Sequence, residues 1–448
     1  MVRITWRTAV YDIPLSAACR VAGTRRAPHD DVQRMFYRLS AAALCLTLSA
    51  CTLSRPHYAT PDIAVGQPTF VRTLEAHADA ELVRGNRAQV LLNGDEIFPA
   101  MLEAIRGATS TITFANFIYE KGDVARDMAE ALAERCRAGV GGNVLLDAVG
   151  SKNMPKKYRT LMERSGCHVA SYHSLNPLAL KRINHRNHRR VLVVDGRVGF
   201  TGGTGVGDKW TGDGRREGHW RQTDVRIEGP IVRQIQAAFA ENWRDATGVL
   251  LSGAAYFPEI EPRGGLVAQT IKSSPASGAA EAYLLFFLAL EGARSSILLT
   301  NPYFVPDGTM SDALVRAVKR GVDVQIITAG NADTNLDRLV RQASHAHFGR
   351  VLEAGAKIYE YRPALLHAKT MVVDGQWVSI GSANLDNRSF ALNNELNLAF
   401  LDRGLAARMT EVFREDLRYT KPVRYDDWVR HRVRNVFYLP LIPLRDQL

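Results

Sequence analysis

Two segments of this sequence carry a histidine and a cation at a spacing that could transfer a phosphate group. In the second segment, His367 and Lys369 are followed by Asp374 and then by the sequence GSAN at 381–384. An imidazole can attack phosphorus or move a proton, and a fixed cation with several N–H donors can hold the oxygens of a phosphate diester. These residue types therefore predict phosphoryl-transfer chemistry.

The elements around the second segment are expected to bring these groups together. His367 and Lys369 are two residues apart, so in a strand both side chains project from the same face. Gly375 favours a turn, and the apolar residues 377–380 predict a strand that returns to the histidine. The run 381–384 then places backbone N–H groups and an amide beside the imidazole. The alternative, a histidine and a lysine that merely occupy a sheet edge, leaves the spacing unexplained.

A segment with the same spacing occurs earlier in the chain. His188 and Arg190 are followed by Asp195 and by the sequence GGTG at 202–205. Arginine stands where the second segment has lysine, and it keeps the charge while offering a planar fork to phosphate oxygens. Gly205 stands where the second segment has asparagine, so a side-chain amide is missing. We expect Arg190→Lys to be tolerated and Gly205→Asn to be neutral or activating.

Both segments resemble the HxKxxxxD and GSxN motifs of the phospholipase D superfamily, and the sequence NNE at 393–395 resembles its cardiolipin synthase branch. The resemblance extends from about residue 86 to residue 448 and implies one active site built from both segments. The catalytic motif residues that it implies are His188, Arg190, Asp195, His367, Lys369 and Asp374. Because the two aspartates lie at strand ends, we expect them to anchor turns rather than to carry protons.

The resemblance also implies a role for each histidine and for the residues that support it. The covalent phosphatidyl group is expected on His188, which leaves His367 to act as acid and base. The residues expected to support the phosphate oxygens are Gly202, Gly203, Ser382 and Asn384. Two carboxylates follow the motifs, Asp224 in the first half and Glu395 in the second. Each is expected to accept a hydrogen bond from the histidine of its own motif.

The order of predicted elements in the first half of the chain is repeated in the second. The sequence GATSTITFANFIYEKGD at 107–123 parallels GARSSILLTNPYFVPD at 292–307. Strand and helix alternation predicts an α/β fold of two pseudo-symmetric phospholipase D-like domains, each a mixed β-sheet flanked by helices, with a shared active-site cleft. We expect a monomer with an internal pseudo-dimer. The predicted order is a first domain at 85–251, a linker at 252–265, a second domain at 266–427 and a basic, apolar C-terminal tail at 428–448.

The region before the first domain contains an apolar run at 39–50, which is typical of a signal peptide and too short to span a bilayer. The sequence LSAC at 48–51 resembles a bacterial lipobox with Cys51 as the lipidated residue, and the alternative is a short uncleaved anchor. We expect a membrane-anchored lipoprotein of the bacterial cell envelope that faces the periplasm, and Thr52 favours the outer over the inner membrane. The predicted order is a doubtful leader at 1–34, a lipoprotein-type signal peptide at 35–51 and a tether at 52–84.

The chain is basic, with a formal net charge of +11 and a pI near 9.5. Such a charge favours an anionic partner, either a nucleic acid or an anionic lipid surface, and charge alone does not choose between them. The basic residues that crowd the first segment are Lys181, Arg182, Arg186, Arg189 and Arg190. They predict either a solvated loop or a funnel for a phosphate headgroup. The tail likewise fits either a membrane headgroup boundary or packing on the second domain.

The cysteines and histidines do not have the spacing of a zinc site, and the sequence contains no phosphate-binding P-loop motif. We therefore expect neither a metal nor another cofactor. Of the five cysteines, Cys136 and Cys167 fall in the predicted first domain. One ends a helix and the other begins a strand at the same sheet edge, so we expect either a disulfide or two reduced, half-buried thiols.

The resemblance and the residues together predict a phosphatidyltransferase of the cardiolipin synthase type, which passes a phosphatidyl group between phospholipids through a phosphohistidine. Its partners are then phospholipid substrates and a membrane surface, and no nucleic acid is expected. Two alternatives remain. A phospholipase D-type hydrolase, or less readily a nuclease, would use the same residues with water as acceptor. A non-enzymatic lipid-binding scaffold would account for Arg190 and Gly205.

Overall fold

The fold is taken from a computed structural model. It describes residues 58–59, 61–78, 80–173, 184–274 and 281–436. The predicted leader, the signal segment and Cys51 lie outside the described residues, as does the end of the C-terminal tail. Among the described helices, none combines the length and the apolar character needed to cross a membrane.

Strands and helices alternate through the first half of the chain, as its sequence pattern predicts. The strands are β1 (Val83–Leu92), β2 (Thr111–Asn116), β3 (Gly141–Asp147), β4 (His168–Tyr172), β5 (Arg186–Asn187), β6 (Val191–Val194), β7 (Val198–Gly202) and β8 (Thr223–Glu228). The helices are α1 (Pro68–His77), α2 (Asn93–Arg106), α3 (Asp123–Arg137), α4 (Lys156–Arg164) and α5 (Val232–Thr247). All residues of β2 are buried, because helices cover both faces of the parallel strands.

The second half repeats this order. The strands are β9 (Leu266–Ser273), β10 (Ser296–Thr300), β11 (Asp323–Ala329), β12 (Lys357–Tyr361), β13 (Thr370–Val373), β14 (Trp377–Gly381), β15 (Asn393–Leu401) and β16 (Thr420–Val423). The helices are α6 (Glu281–Gly292), α7 (Gly308–Lys319), α8 (Asn335–Glu353), α9 (Asn387–Ala391), α10 (Arg403–Leu417) and α11 (Tyr425–Val436). No helix or strand is described between α5 and β9, where the linker is predicted.

The two halves share one strand order. In the first half it runs β4-β3-β2-β6-β7-β8-β1, and in the second β12-β11-β10-β13-β14-β15-β9. Strands β2, β3 and β4 are mutually parallel, as are β10, β11 and β12, while the hairpins β6–β7 and β13–β14 are antiparallel. The predicted fold of two similar mixed sheets is therefore confirmed. The two sheets also join edge to edge, through the antiparallel pair β1 and β9, into one 16-stranded sheet.

The segment 52–84 is not a simple tether, because it contains helix α1. Pro68 occupies the first turn of this helix, where its missing N–H leaves no helical hydrogen bond unmade. Phe70 and Leu74 lie one turn apart and are buried in the core of the second half, in the same cluster as Phe287. The prediction of a tether is therefore wrong for this part of the segment, where Pro68 begins a helix that packs on the second half.

Part of the C-terminal tail also packs on the second half. Trp428 of α11 lies against the same core and donates its indole N–H to the carbonyl oxygen of His345 at 2.7 Å. Of the two interpretations of the tail, packing on the second domain therefore applies to this first part. Residues after 436 lie outside the described part of the chain.

A disulfide joins Cys136, at the end of α3, to Cys167, just before β4. The two Cα atoms are 5.4 Å apart and the bridge spans 31 residues. Both residues are buried in the core of the first half. Of the two possibilities that the sequence leaves open, the structure has the bridge.

We expect the double substitution Cys136→Ala and Cys167→Ala to lower the free energy of unfolding by about 3 to 4 kcal/mol, because a bridge across this separation restricts the unfolded chain. Urea unfolding with and without reductant measures the effect. Reduction should destabilise the wild-type protein by a similar amount and leave the double variant unchanged. Complete alkylation of both thiols in the folded protein without reductant would contradict the bridge.

Candidate active site

Each catalytic segment is held by the opposite half of the molecule. The backbone N–H of His188 donates to the carbonyl oxygen of Asn394 at 2.9 Å. In the same way, the backbone N–H of His367 donates to the carbonyl oxygen of Arg221 at 2.9 Å. Each histidine therefore lies beside a strand that belongs to the other motif. These two crossings bring both imidazoles to one site.

The imidazole of His188 contacts a buried carboxylate. Its Nδ1 lies 2.8 Å from both carboxylate oxygens of Glu395, which is fully buried. The hydroxyl of Ser382 donates to the same carboxylate at 2.5 Å. A carboxylate accepts the Nδ1 proton, so Nε2 keeps its lone pair and can act as a nucleophile. Glu395 was predicted to serve His367 of its own motif, and that prediction is wrong, because the strand crossing places it beside His188.

The imidazole of His367 contacts an amide instead. Its Nδ1 lies 2.5 Å from Nε2 of Gln222, which is fully buried. Asp224, predicted to hold His188, accepts hydrogen bonds from the N–H of Gly203 at 3.0 Å and the hydroxyl of Thr204 at 2.8 Å. The predicted role of Asp224 toward an imidazole is therefore wrong.

Strand register explains why Gln222 was missed. Gly202 lies opposite Asp224 in the hairpin β7–β8, and Gly381 lies opposite Asn397 in the hairpin β14–β15. Asp224 thus corresponds to Asn397, and the residue that corresponds to Glu395 is Gln222. Asp224 was paired with Glu395 from the sequence because both are acids, and this pairing shifted the alignment of the two halves by two residues. Because residues two apart in a strand share a face, the alternating pattern did not reveal the shift.

The two cations occupy equivalent positions. Arg190 and Lys369 are buried, and each donates from its side chain to the carbonyl oxygen of the histidine two residues earlier, His188 and His367 respectively. In the described part of the protein, Nε and Nη2 of Arg190 have no hydrogen-bond partner, and neither has Oδ1 of Asn384. Buried polar groups are normally hydrogen-bonded, and a guanidinium without a full set of acceptors fits phosphate oxygens.

The surroundings keep both imidazoles neutral. Burial, Arg190 and Lys369 lower the pKa of His188 well below its usual range. Burial, Lys369 and Arg190 lower the pKa of His367 in the same direction. Burial raises the pKa of Glu395 to about 7. A neutral imidazole is the form that can attack phosphorus, and it is the form that this cationic, buried site favours.

Comparison with known proteins agrees with this geometry. A family model described as the phospholipase D-like domain of cardiolipin synthase matches residues 101–243 and 287–417. The chain belongs to the phospholipase D superfamily, in its cardiolipin synthase branch. Each of the two matched stretches contains one catalytic segment, so the family relation covers both parts of the site.

Individual relatives extend over most of the chain. It is 33% identical to the major cardiolipin synthase ClsA of Bacillus subtilis (strain 168) over 355 residues, which are 78% of this chain and 73% of that protein. It is 35% identical to cardiolipin synthase A of Pseudomonas fluorescens (strain SBW25) over 343 residues, 76% of this chain and 71% of that protein. The crystal structure of phosphatidylserine synthase from Haemophilus influenzae Rd KW20 has a TM-score of 0.64 at 14% identity, covering 84% of this chain and 100% of that one, and shows the shared fold.

The two motif aspartates hold the strands that lead into the site. Asp195 accepts hydrogen bonds from the backbone N–H groups of residues 109–111, and Asp374 accepts them from residues 294–296. Both aspartates have a positive φ of 52° and begin the tight turns after β6 and β13. Their predicted structural role is confirmed, and in addition to forming the turns they hold the start of the neighbouring strand.

Three of the residues predicted to support phosphate oxygens, Gly202, Gly203 and Ser382, instead contact other residues of the protein. The N–H of Gly203 donates to Asp224, and Gly202 lies so close to that side chain that a Cβ would come within 2.0 Å of its Oδ1. The hydroxyl of Ser382 donates to Glu395 and accepts from the N–H of Leu396. These residues shape the site through its carboxylates, and Asn384 is the member of the predicted set whose side-chain oxygen has no described protein partner.

Two of the basic residues near the first segment, Arg186 and Arg189, are buried and bonded within the fold. Arg186 forms a buried ion pair with Asp147 at 3.5 Å. Arg189 is fully buried and donates to Asn242, to Ser274 and to neighbouring carbonyl oxygens. These two arginines form neither a solvated loop nor a funnel, because their charges are used within the fold. Lys181 and Arg182 lie outside the described residues.

The space beside Gly205 is filled by an aromatic ring. A Cβ at this position would come within 2.7 Å of the indole of Trp210, which is fully buried. The expectation that Gly205→Asn is neutral or activating is therefore wrong, because an asparagine has no room here. Where the second half has the side-chain amide of Asn384, the first half has Gly205 with the indole of Trp210 packed against it.

We expect Gly205→Asn to lower the free energy of unfolding by about 1 to 3 kcal/mol, the usual cost of overpacking a core. Urea unfolding of the purified variant measures this change. Gly265→Asn is the control, since Gly265 does not have a positive φ and an added Cβ there meets nothing within 4 Å. Equal stability of the Gly205 variant and the wild type would show that Trp210 can move aside.

We expect Glu395→Gln to reduce kcat by at least about a hundred-fold, because the amide cannot hold His188 in its nucleophilic tautomer with the same charge. Asp224→Asn is the matched control, as it also neutralises a buried carboxylate near the site but contacts neither imidazole. Steady-state rates of both variants with phospholipid vesicles make the comparison. A larger loss in the Asp224 variant would restore the pairing that the sequence suggested.

Proposed function

We propose that this protein is a phosphatidyltransferase of the cardiolipin synthase type, which moves a phosphatidyl group between phospholipids through a phosphohistidine on His188. The observation that carries the proposal is the pairing of His188 with buried Glu395 beside N–H groups of Arg190 that have no hydrogen-bond partner among the described residues. This arrangement leaves a nucleophilic nitrogen and an anion-binding group in one buried site. The relationship to cardiolipin synthases supports phospholipids as its substrates.

In the first step, Nε2 of His188 attacks phosphorus and forms an N–P bond. The bond from phosphorus to the departing glycerol oxygen breaks, and that oxygen takes the electron pair and the Nε2 proton of His367 in its imidazolium form. Arg190 and Lys369 stabilise the charge on the other phosphate oxygens. Glu395 stabilises the positive charge that develops on His188 as the new bond forms.

In the second step, a hydroxyl of an acceptor phospholipid replaces the departed glycerol. It gives its proton to Nε2 of His367, which the first step left without a proton, while its oxygen forms a bond to phosphorus and the N–P bond breaks. The electron pair returns to Nε2 of His188, so the site is restored. Water in place of the lipid hydroxyl would turn the same steps into hydrolysis.

The proposal also covers the location of the protein in the cell and its oligomeric state. The protein is a lipoprotein anchored through Cys51 to the bacterial cell envelope, faces the periplasm and acts as a monomer on a membrane surface without binding nucleic acid. The lipobox-like sequence at 48–51 and the basic charge of the chain support this placement. Mass spectrometry of the envelope fraction tests it, with a diacylglycerol on Cys51 as the expected result and peptides from 1–34 as the contrary one.

Lipid analysis of a bacterial host that lacks its own cardiolipin synthases tests the activity. Cardiolipin should appear when the wild-type protein is expressed and remain absent with His188→Ala. Arg190→Lys should retain activity, because the charge that faces phosphate is kept. Accumulation of phosphatidic acid without cardiolipin would identify a hydrolase, and unchanged lipids with a folded protein would favour the scaffold.

Trapping of the covalent intermediate separates the two histidines. We expect His188→Ala to give no covalently labelled protein after incubation with phospholipid radiolabelled at phosphorus and a rapid denaturing quench at alkaline pH, in which an N–P bond survives. His367→Ala should accumulate label slowly, since breakdown and leaving-group protonation are impaired while the nucleophile remains. Label retained by His188→Ala and lost by His367→Ala would reverse the two roles.

A further inference from the structure

The two imidazoles differ in the charge of the residue that holds them. Corresponding positions of the two halves carry Glu395 beside His188 and Gln222 beside His367. The residues before them make the same backbone hydrogen bond to each histidine, so the positions are equivalent in three dimensions. The otherwise similar halves thus present a carboxylate to one imidazole and an amide to the other.

The hydrogen bond to Gly203 favours one orientation of the Gln222 amide, in which Oε1 has no partner among the described residues. Its Nε2 donates to the carbonyl oxygen of Gly203 at 3.2 Å and lies 2.5 Å from Nδ1 of His367. The reversed amide would set two oxygens against each other, because Oε1 would face the carbonyl of Gly203. An amide nitrogen has two hydrogens, which suffices for both contacts. Nδ1 of His367 is then an acceptor, and the neutral ring carries its proton on Nε2.

A second difference between the halves accompanies this one. Ser382 donates its hydroxyl to Glu395, whereas the equivalent residue, Gly203, has no side chain and accepts from Gln222 through its carbonyl oxygen. A Cβ on Gly203 would lie 2.9 Å from Oε1 of Gln222. The carboxylate has a donor beside it and the amide has an acceptor, so each pair is chemically matched.

We propose that Gln222 is a positioning residue that holds the proton of neutral His367 on Nε2 and makes His367 a weaker base than a carboxylate partner would. This inference rests on the proposed function for its kinetic consequence, and on the geometry alone for the position of the proton. It gives the two histidines different resting states. His188 presents a lone pair to the substrate and His367 presents an N–H.

The groups around His367 act in the same direction as the amide. The charged side chains that face it are Lys369, Arg190 and Lys209, and its titratable neighbours are His188 and Tyr303, whose ring centre lies 6.2 Å away. Burial and these cations lower the pKa of His367. Gln222 adds no negative charge to oppose them, whereas a carboxylate at 222 would favour the protonated ring.

The wild-type protein gives the first test. Imidazole nitrogen shifts, recorded on protein labelled with ¹⁵N-histidine and assigned to His367 by comparison with His367→Ala, report which nitrogen carries the proton. The expected result is an unprotonated Nδ1 and a protonated Nε2 for His367 at neutral pH, with the reverse for His188. A protonated Nδ1 on neutral His367 would overturn the proposal, and no substrate is involved in this measurement.

Gln222→Glu gives the second test. Titration of the same resonances should show the pKa of His367 rise by about one to three pH units, since a carboxylate in contact favours the charged ring. Gln236→Glu is the control, because Gln236 is a buried glutamine that contacts Thr113 rather than an imidazole, and its variant should leave His367 unchanged. The double variant Gly203→Ser, Gln222→Glu reproduces the pair formed by Ser382 and Glu395 in the second half. It replaces the single variant in this titration if the single variant does not fold. An unchanged pKa in both folded variants would overturn the proposal.

The pH dependence of transfer links this inference to activity. Leaving-group protonation needs protonated His367, so the alkaline fall in kcat/KM should move to higher pH in Gln222→Glu by about the shift seen in the titration. A shift of the resonances in a protein that transfers no phosphatidyl group would refute the proposed function and keep the positioning role. A retained activity profile despite shifted resonances would overturn the kinetic part of this inference.

Discussion

The crossing of each histidine segment into the opposite half is the interaction on which the site depends. Two equivalent backbone hydrogen bonds, from His188 to Asn394 and from His367 to Arg221, hold the crossings. Each brings an imidazole next to a side chain that its own half does not supply. The continuous sheet through β1 and β9 fixes the two halves in one frame, so the imidazoles keep their relative position without a flexible joint.

The site concentrates charges that are costly to bury, and charges of opposite sign lie near one another within it. Arg190, Lys369 and Glu395 are all buried, and the buried carboxylate compensates part of the cationic charge. What is left is a surplus of donors, because two nitrogens of Arg190 have no partner among the described residues. An anionic phosphate completes this arrangement, so the free energy lost in burying the cations is partly recovered when the substrate binds.

The sequence predicted the features that depend on residue type and spacing. The two motifs located the catalytic histidines and cations, the repeated strand and helix order predicted two similar mixed sheets, and the placement of Cys136 and Cys167 allowed their bridge. Features that depend on register or on packing in three dimensions were missed. Gln222 was missed because Asp224 has the expected charge on the same strand face, and the clash at Gly205 comes from Trp210, whose indole position no local pattern specifies. Helix α1 was missed because proline is typical of irregular chain as well as of a first helical turn, and the sequence alone does not distinguish the two.

The crossed arrangement has a consequence for how such a molecule could arise and change. Each half is complete as a sheet, yet alone it holds an imidazole without the residue that orients it. A single half would therefore work only when two copies meet face to face, and joining them in one chain frees the two copies to diverge. Such divergence accounts for the difference between Glu395 with Ser382 beside it and Gln222 with Gly203 beside it. Once the partners differ, the two histidines are no longer interchangeable, and each can be specialised for one role, whereas in a symmetric pair of halves either histidine could take both.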